Sequence, residues 1–221
     1  MVLWSAENAT EAYINAMKLA NINHKEPDVA EFISALAAGS NAKLMVIACP
    51  NASDYSATLA LVAAAHQTGG RVVCILRDTN QEKILKYNLG ENSDYVTFVM
   101  GDIRVLLKSE YKDVDFIVID CKIEDSKDVL RDVRGVVEKN AVVLGYNARF
   151  MGSLRNFGVN NNNVSAHFLP IGHGILVTRT AKSEGVSKRK SKWIVKVDNC
   201  TGEEHVFRII RQPSKLKVGG A

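Results

Sequence analysis

The chain has 221 residues, 47% of them hydrophobic and 24% charged, and this balance suits one globular domain with a full core. It excludes a disordered, collagen-like or membrane-spanning chain, since no apolar run reaches the roughly 18–20 residues that cross a bilayer. The net charge of +4 comes from 182–221, where ten Lys or Arg outnumber four Asp or Glu, whereas the preceding residues are close to balanced.

The beginning of the chain predicts two helices before the first strand. Residues 5–20 place small and apolar side chains on one face, and Ser5 can cap the start. Pro27 favours the start of a second helix over 28–38, and Gly39 favours its end. Because the N-terminus lacks the basic and apolar pattern of a signal peptide, we expect an intracellular, cytoplasmic protein.

Strands and helices alternate from residue 43 onward. Continuous apolar runs, rather than alternating ones, predict strands that are buried on both faces, as in a parallel sheet with helices on each side. Right-handed crossovers then give a doubly wound sheet. The predicted strands are 43–49, 71–76, 95–99, 114–119 and 141–145, and the helices between them are 55–67, a segment ending near Asn88, 103–109 and 125–137.

The pattern changes after the fifth strand. Segments 164–170 and 174–180 flank a tight turn and predict an antiparallel hairpin. The whole is therefore an α/β fold with a Rossmann-like, doubly wound, mostly parallel seven-stranded sheet, the arrangement of class I methyltransferases. A second hairpin, 193–197 with 204–210, is predicted as a C-terminal extension. The predicted units are N-terminal helices over 1–40, the sheet domain over 41–181, and a basic linker with a β-hairpin tail over 182–221.

Several short motifs near the predicted strand ends match one enzyme family. They are Asn41-Ala42-Lys43, Tyr55-Ser56, Gly101-Asp102, Val118-Ile119-Asp120, 145–154 and 169–175. Through them, 36–180 resembles the caffeoyl-CoA O-methyltransferases, which use S-adenosylmethionine and a divalent metal. The whole chain, including Trp4-Ser5 and the final hairpin, is more similar still to a plant family of unknown function whose members are described as methyltransferase-like.

The loop after the first strand departs from the family pattern. The resemblance implies an acidic residue and then glycines that let the backbone approach the cofactor, yet 49–54 contains no glycine. Val46 stands where the acid belongs, and Ala48 stands for the first glycine. Asp54 lies near the position of the other glycine, where its carboxylate would repel the methionine carboxylate of the cofactor.

The next two strand ends keep part of the implied cofactor site. Leu76 occupies the position of an acid that binds the ribose hydroxyls in the family. Losing those hydrogen bonds lowers the binding free energy of the cofactor by about 1.5–3 kcal/mol. Asp78 can substitute for the acid only if the loop shifts. Asp102 matches the residue that contacts the adenine amino group, and it equally suits the N-cap of the helix over 103–109. The cofactor implied is S-adenosylmethionine, with weakened contacts, and the residues implied to bind it are Ala48, Asp54, Tyr55, Ser56, Asp78, Asp102 and Asp120.

The implied metal site is also incomplete. The resemblance implies an Asp and then an Asp-Asn pair as ligands of a divalent cation. Asp120 matches the first ligand and Asn147 the Asn, but the Asp between them is missing, and Lys122 stands where a further carboxylate belongs. We therefore predict no divalent metal and regard Asp120 and Asn147 as remnant positions. Asp120 and Lys122 are the candidate catalytic groups, because an active enzyme needs a general base.

Other reactive residue types give weaker signals. The five His show no metal-ligand spacing, and His173 lies in the hairpin turn at the rim of the predicted pocket. The four Cys lack CxxC spacing and are predicted to be buried, reduced thiols, with a catalytic thiol at Cys121 as the alternative. The basic run 188–192 is predicted to be a solvated linker. Its alternative roles are nuclear import and RNA contact, since Trp193 and Phe207 suit base stacking.

Three functions follow from these residues. The first is a methyltransferase-like protein with degenerate motifs that acts as a non-catalytic or altered-ligand binding or regulatory module. The second is an active, metal-independent S-adenosylmethionine-dependent methyltransferase, and the third is a nucleic-acid-associated protein that uses 182–221. The missing contacts favour the first, since together they amount to several kcal/mol, on the order of a micromolar cofactor's affinity. The expected partners are an unknown small molecule or protein, no membrane, and a second copy by analogy with other methyltransferases.

Overall fold

A computed structural model describes residues 4–19, 28–48, 55–137, 141–151, 166–180, 191–197 and 204–210. Its helices are α1 (Ala6–Leu19), α2 (Val29–Gly39), α3 (Ser56–Thr68), α4 (Thr79–Leu89), α5 (Ile103–Ser109) and α6 (Ser126–Val136), with 3-10 turns at Gly90–Tyr95 and Ala148–Met151. Its strands are β1 (Leu44–Ala48), β2 (Arg71–Leu76), β3 (Val96–Met100), β4 (Phe116–Asp120), β5 (Val142–Tyr146), β6 (Ala166–Leu169), β7 (Ile175–Arg179), β8 (Ser191–Val197) and β9 (Glu204–Ile210). The predicted elements lie within two residues of these bounds at each end.

The predicted sheet is confirmed. Seven strands pair in the order β3-β2-β1-β4-β5-β7-β6, and β1 to β5 run parallel to one another. The hairpin of β6 and β7 adds to β5 in antiparallel fashion. Strand order reverses between β1 and β4, which are paired through Ala48 and Ile119 at their carboxyl ends. In a doubly wound sheet this switch point opens the crevice in which ligands bind.

Both faces of the central strands are buried, as their continuous apolar sequences predict. In β1, Met45 and Ile47 pack into the core beneath α2 and α3, whereas Leu44, Val46 and Ala48 pack into the core beneath α5 and α6. All five side chains are at most 6% exposed. This double burial, rather than local strand propensity, explains why the strands hold no alternating polar residues.

The start of α2 differs in detail from the prediction. The N-cap is Asp28, whose carboxylate accepts from the Val29 backbone N–H at 2.7 Å, while Glu31 accepts from the Asp28 N–H at 3.0 Å. This is a capping box, and Pro27 lies outside the described residues. Gly39 is the last residue of α2 and lies against the Trp4 indole, so any Cβ there would collide with the ring. The helix ends at Gly39 as predicted, and the close approach of Trp4 is a further reason for a glycine at this position.

The contacts divide the chain into Met1–Lys182 and Ser183–Ala221. In the second unit β8 and β9 pair in antiparallel register from Ser191 with Ile210 to Val197 with Glu204. The described helices include none that is both long enough and apolar enough to cross a membrane.

A single carboxylate connects the beginnings of β1 and β4. Asp115 Oδ2 accepts hydrogen bonds from the Lys43 and Leu44 N–H groups, both at 3.0 Å, and the Asp115 N–H donates to the Leu44 carbonyl at 3.0 Å. These bonds lie at the opposite end of the two strands from the switch point. They set the register in which the carboxyl ends of β1 and β4 meet.

We expect Asp115→Ala to lower the free energy of unfolding by about 1–3 kcal/mol, because two backbone N–H groups lose their acceptor. Urea unfolding followed by circular dichroism measures this loss. The matched control is Asp94→Ala, which removes an exposed carboxylate and should leave the midpoint within the error of wild type. Equal midpoints for the two variants would contradict the assigned role of Asp115.

Candidate functional site

The carboxyl ends of β1 to β5 lie along one edge of the sheet, which we call the strand-end edge. At the end of β1, Ala48 is fully buried, and the loop 49–54 with Asp54 lies outside the described residues. Tyr55 and Ser56 are half-buried at the start of α3, and the Tyr55 side chain makes no capping hydrogen bond. Ala48, Tyr55 and Ser56 therefore lie at the predicted end of the sheet, and their contact with a cofactor stays a prediction.

At the end of β2 the position implied for a ribose-binding acid carries no carboxylate. Leu76 is fully buried in the core under α3 and α4. Asp78 accepts from the Asn80 N–H at 2.9 Å, so its carboxylate caps α4. Between them Arg77 forms an ion pair of 2.8 Å with Asp125, which precedes α6. The side chain that turns toward the edge after β2 is thus a cation.

The end of β3 carries Asp102, and the structure shows its capping role. Its carboxylate accepts from the Arg104 N–H at 2.7 Å and from the Arg104 Nε at 2.9 and 3.1 Å. Hydrogen bonds from the Arg104 side chain lower the pKa of Asp102, so the carboxyl stays ionised. Arg104 also lies 3.6 Å from Asp132 of α6. The adenine contact predicted for Asp102 would have to share the carboxylate with Arg104.

A cavity of about 250 Å³ opens between the ends of β2 and β3, lined by Arg77, Met100, Gly101 and Asp102. Met100 is 39% exposed. The sequence motifs predicted Asp102 in this place but not the two arginines beside it. Their only sequence signal is the short spacing between each Arg and a neighbouring Asp, which does not reveal an ion pair to α6.

The remnant metal positions bond to each other. Asn147 Nδ2 donates to Asp120 Oδ1 at 2.9 Å, and the Lys122 backbone N–H donates to the same oxygen at 3.0 Å. An ionised carboxylate only accepts hydrogen bonds, so the amide presents its NH₂ group, which cannot bind a metal. Both side chains are buried, at 1% and 4% exposure. Asn147 has a φ of 58°, a left-handed conformation that Asn tolerates better than most residues.

These residues do not fit a divalent cation. Magnesium prefers near-octahedral oxygen ligands and relies on carboxylate charge, whereas this pair offers one carboxylate whose Oδ1 already accepts two hydrogen bonds. In the described part of the chain, no group of three or more His, Cys, Asp or Glu side chains is placed to hold a metal.

Lys122 and Cys121 follow Asp120 directly. The Lys122 ammonium lies 5.4 Å from the centroid of the Phe150 ring, and the described residues offer it no ion pair with Asp120. Burial, with a smaller effect from the charge of Asp120, raises the pKa of Cys121 to about 12. A buried, protonated thiol is not a nucleophile, so the geometry argues against catalysis by Cys121.

Comparison with known proteins gives a family and a fold. A family model described as "Protein of unknown function (DUF1442)" matches residues 1–209. None of the curated protein sequences matches the chain. Among solved structures, a methyltransferase from Geobacter sulfurreducens is 21% identical with a TM-score of 0.58, and 81% of this chain aligns with 92% of that one.

Two further structures contain the cofactor or its product. An O-methyltransferase from Bacillus cereus in complex with S-adenosylhomocysteine is 18% identical, with a TM-score of 0.54 over 81% of this chain and 94% of that one. The O-methyltransferase TomG from Streptomyces achromogenes, in complex with S-adenosylmethionine, is 13% identical, with a TM-score of 0.55 over 81% and 92%. At these identities the likeness shows a shared class I methyltransferase fold.

The burial of Cys121 predicts its reactivity. We expect iodoacetamide to modify it slowly in the folded protein at pH 8.5 and rapidly in urea, as mapped by mass spectrometry.

The raised pKa of Cys121 also predicts how stability depends on pH. Because the pKa is higher in the folded state, the unfolded state binds fewer protons above about pH 9, and the free energy of unfolding falls from there to about pH 12. The free energy of unfolding of the Cys121→Ala variant should fall less steeply over this pH range. Equal labelling rates in the folded and unfolded protein would refute the assignment.

Replacing the amide tests the remnant metal site. Asn147→Asp sets two buried carboxylates against each other and should lower the free energy of unfolding by about 3 kcal/mol. Mn²⁺ should restore stability to this variant, since two carboxylates bind a hard cation, but not to wild type or to the control Asn147→Ala. Thermal unfolding with and without MnCl₂ measures both effects. Equal stabilisation of wild type by Mn²⁺ would show that the native pair already binds metal.

Proposed function

Since the chain belongs to the DUF1442 family of proteins of unknown function, we propose that it is a binding or regulatory protein that retains the methyltransferase fold without metal-dependent methyl transfer. Its ligand binds at the strand-end edge, where the fold leaves a crevice. The ligand contacts there differ from those of a metal-dependent enzyme. The proposal therefore concerns an altered ligand rather than the loss of all binding.

One observation supports this proposal above the others, the hydrogen bond from the Asn147 amide to the Asp120 carboxylate. A metal in such a site would act as a Lewis acid on a substrate oxygen, and it could use Asp120 Oδ1 only by displacing these hydrogen bonds, which leaves Oδ2 as its carboxylate ligand. Removing a donor from a buried carboxylate costs about 1.5–3 kcal/mol, so two-oxygen binding would have to exceed that loss, and one-oxygen binding would lack a second carboxylate. The bond therefore favours a site that works without a cation.

The contacts at β2 support an altered ligand as well. A cofactor with a ribose would meet Arg77 where a carboxylate usually accepts from the hydroxyls, because Leu76 is buried and Asp78 caps α4. Loss of that pair of hydrogen bonds weakens binding by roughly ten- to a hundredfold. We infer that S-adenosylmethionine binds more weakly than a micromolar cofactor.

A metal-independent methyltransferase is the second candidate. It is favoured by the ionised Asp102 beside a cavity of about 250 Å³, the position from which the resemblance implies an adenine contact. Methyl transfer depends mainly on proximity and alignment, so an altered site can still support it. Asp120 and Lys122 are the proposed proton-transfer groups in that case. Contact between nucleic acid and the basic tail stays a prediction, because 181–190 lie outside the described residues. A homodimer stays a prediction as well.

Titration calorimetry with S-adenosylmethionine and S-adenosylhomocysteine separates the two candidates. The proposal predicts that neither compound saturates the protein below about 100 μM, which is a hundredfold weaker affinity than that of a micromolar cofactor. It also predicts that MgCl₂ leaves the affinity unchanged. Asp102→Asn and the control Asp94→Asn should then behave alike. Micromolar binding that Asp102→Asn abolishes would replace the proposal by the second candidate. Magnesium-dependent methylation of a catechol would overturn both.

A further inference from the structure

A group of aromatic and cationic side chains surrounds the β4 and β5 part of the strand-end edge. We call it the aromatic rim, and it consists of Lys122, Arg149, Phe150, Phe168 and His173. Phe150 is 57% exposed and Phe168 is 40% exposed, and they lie at the same edge, whereas the other exposed Phe and Tyr side chains that the structure describes in the sheet domain, Tyr87 and Tyr95, belong to α4 and the turn that follows it. Exposed aromatic side chains that cluster beside a ligand crevice mark a binding surface more often than scattered ones do.

The rim is held together by backbone bonds. The N–H groups of Ala148 and Arg149 donate to the carbonyls of Gly174 and His173 at 2.9 and 3.0 Å, so the turn after β5 is joined to the hairpin of β6 and β7. Gly174 has a φ of 87°, and a Cβ there would lie 2.7 Å from the Phe168 ring. Two segments far apart in sequence therefore present their side chains from one fixed surface.

The side chains of the rim also contact each other. The Phe150 and His173 rings meet edge to face at 5.5 Å between centroids and 67° between planes. The Lys122 Nζ lies 5.4 Å from the Phe150 centroid on the β4 side. The Lys122 ammonium thus lies over the Phe150 ring and His173 contacts the ring edge to face, and the part of Phe150 that stays exposed is open to a second aromatic ring.

The exposed charges of the rim are positive. Lys122 and Arg149 are exposed, and neither forms an ion pair with a carboxylate in the described part of the chain. Asp120 is nearby but buried, and its Oδ1 accepts from Asn147 and from the Lys122 backbone. Glu124, two residues beyond Lys122, is exposed, and it forms no ion pair with Lys122 or Arg149 among the described residues. Two cations without an ion-pair partner beside an exposed ring complement an anion that carries an aromatic group.

We propose that the aromatic rim binds a small aromatic anion, an aryl carboxylate or aryl phosphate whose ring stacks on Phe150 and whose charge lies between Lys122 and Arg149. The inference rests on the proposed function, because it assigns a ligand class to an edge that works without a metal. Lys122 supplies the positive charge from a side chain that is anchored by its backbone bond to Asp120. The ligand is bound by two groups of different chemistry, so both its ring and its charge contribute to affinity.

The test uses the full chain and four probes, which are phenyl phosphate, benzoate, phenol and inorganic phosphate. Ligand-observed NMR titration gives their affinities without added cofactor or metal. Phenyl phosphate or benzoate should bind at least about tenfold more tightly than phenol or inorganic phosphate, since one charge-assisted bond or one ring contact accounts for about that factor. The preferred anion of the two identifies the ligand as a phosphate or a carboxylate.

Variants locate the probe. Phe150→Ala and Lys122→Met should each weaken the better probe by about tenfold or more. Tyr87→Ala and Lys127→Met are the matched controls, because they remove an exposed ring of α4 and an exposed ammonium of α6 and should change nothing. If Phe150→Ala does not fold, Phe150→Leu removes the ring and keeps an apolar side chain. Equal affinities for phenyl phosphate and inorganic phosphate, or equal losses in the controls, would overturn the inference.

The two proposals fail in different ways. Micromolar S-adenosylmethionine binding together with a rim that binds phenyl phosphate would overturn the proposed function and keep the ligand class. Absence of binding by all four probes, with weak cofactor binding that magnesium does not change, would keep the proposed function and overturn the ligand class.

Discussion

The pairing of β1 with β4 is the constraint on which the rest of the molecule depends. Because β2 and β3 extend the sheet from β1 while β5 and the hairpin extend it from β4, the strand order reverses between them. All five parallel strands then end at one edge. Residues as far apart as Asp78, Asp102 and Asp120 lie at that edge because of this topology, although no local signal in the sequence brings them together. Asp115 sets the register of the same pair from the opposite end.

The charges along the edge are consistent with the proposed site that works without a metal. Near β2 and β3 the carboxylates are bound by arginines, with Asp125 bonded to Arg77 and Asp102 to Arg104. Near β4 and β5 the buried carboxylate of Asp120 is bonded to an amide, and the exposed charged groups include the cations Lys122 and Arg149 as well as Glu124. The edge therefore offers fewer free acceptors for hydroxyls and metals, and more cations for an anion. A ligand must complement this distribution to bind.

The sequence predicts the fold well because the fold depends on burial. Strands such as 116–120 are apolar along their whole length, and only a sheet covered on both faces accommodates that pattern. The resemblance also located Asp120 and Asn147 correctly relative to the strand ends. It could not show that they bond to each other, since that depends on the turn at Asn147 and on its left-handed φ. The ion pairs of Arg77 with Asp125 and of Arg104 with Asp132 were missed for a similar reason, because these partners lie at α6, whereas the pair of Arg104 with Asp102 is local. The capping box at Asp28 was a local signal that the sequence does contain, in the Asp-Val-Ala-Glu spacing.

The altered strand ends also make physical sense as parts of a stable sheet. A carboxylate that faces a cofactor must be kept partly desolvated, at a cost that only the bound ligand offsets. Leu76 at that place is fully buried, and burying a leucine contributes about 1.5–3 kcal/mol. Ala48 is also fully buried. An alanine loses less conformational entropy on folding than a glycine would at the same position. The Asp120 and Asn147 pair satisfies a buried charge within the protein itself. At each of these positions the stabilising contact lies within the protein itself, which agrees with the proposal that binding at the edge depends on other chemistry.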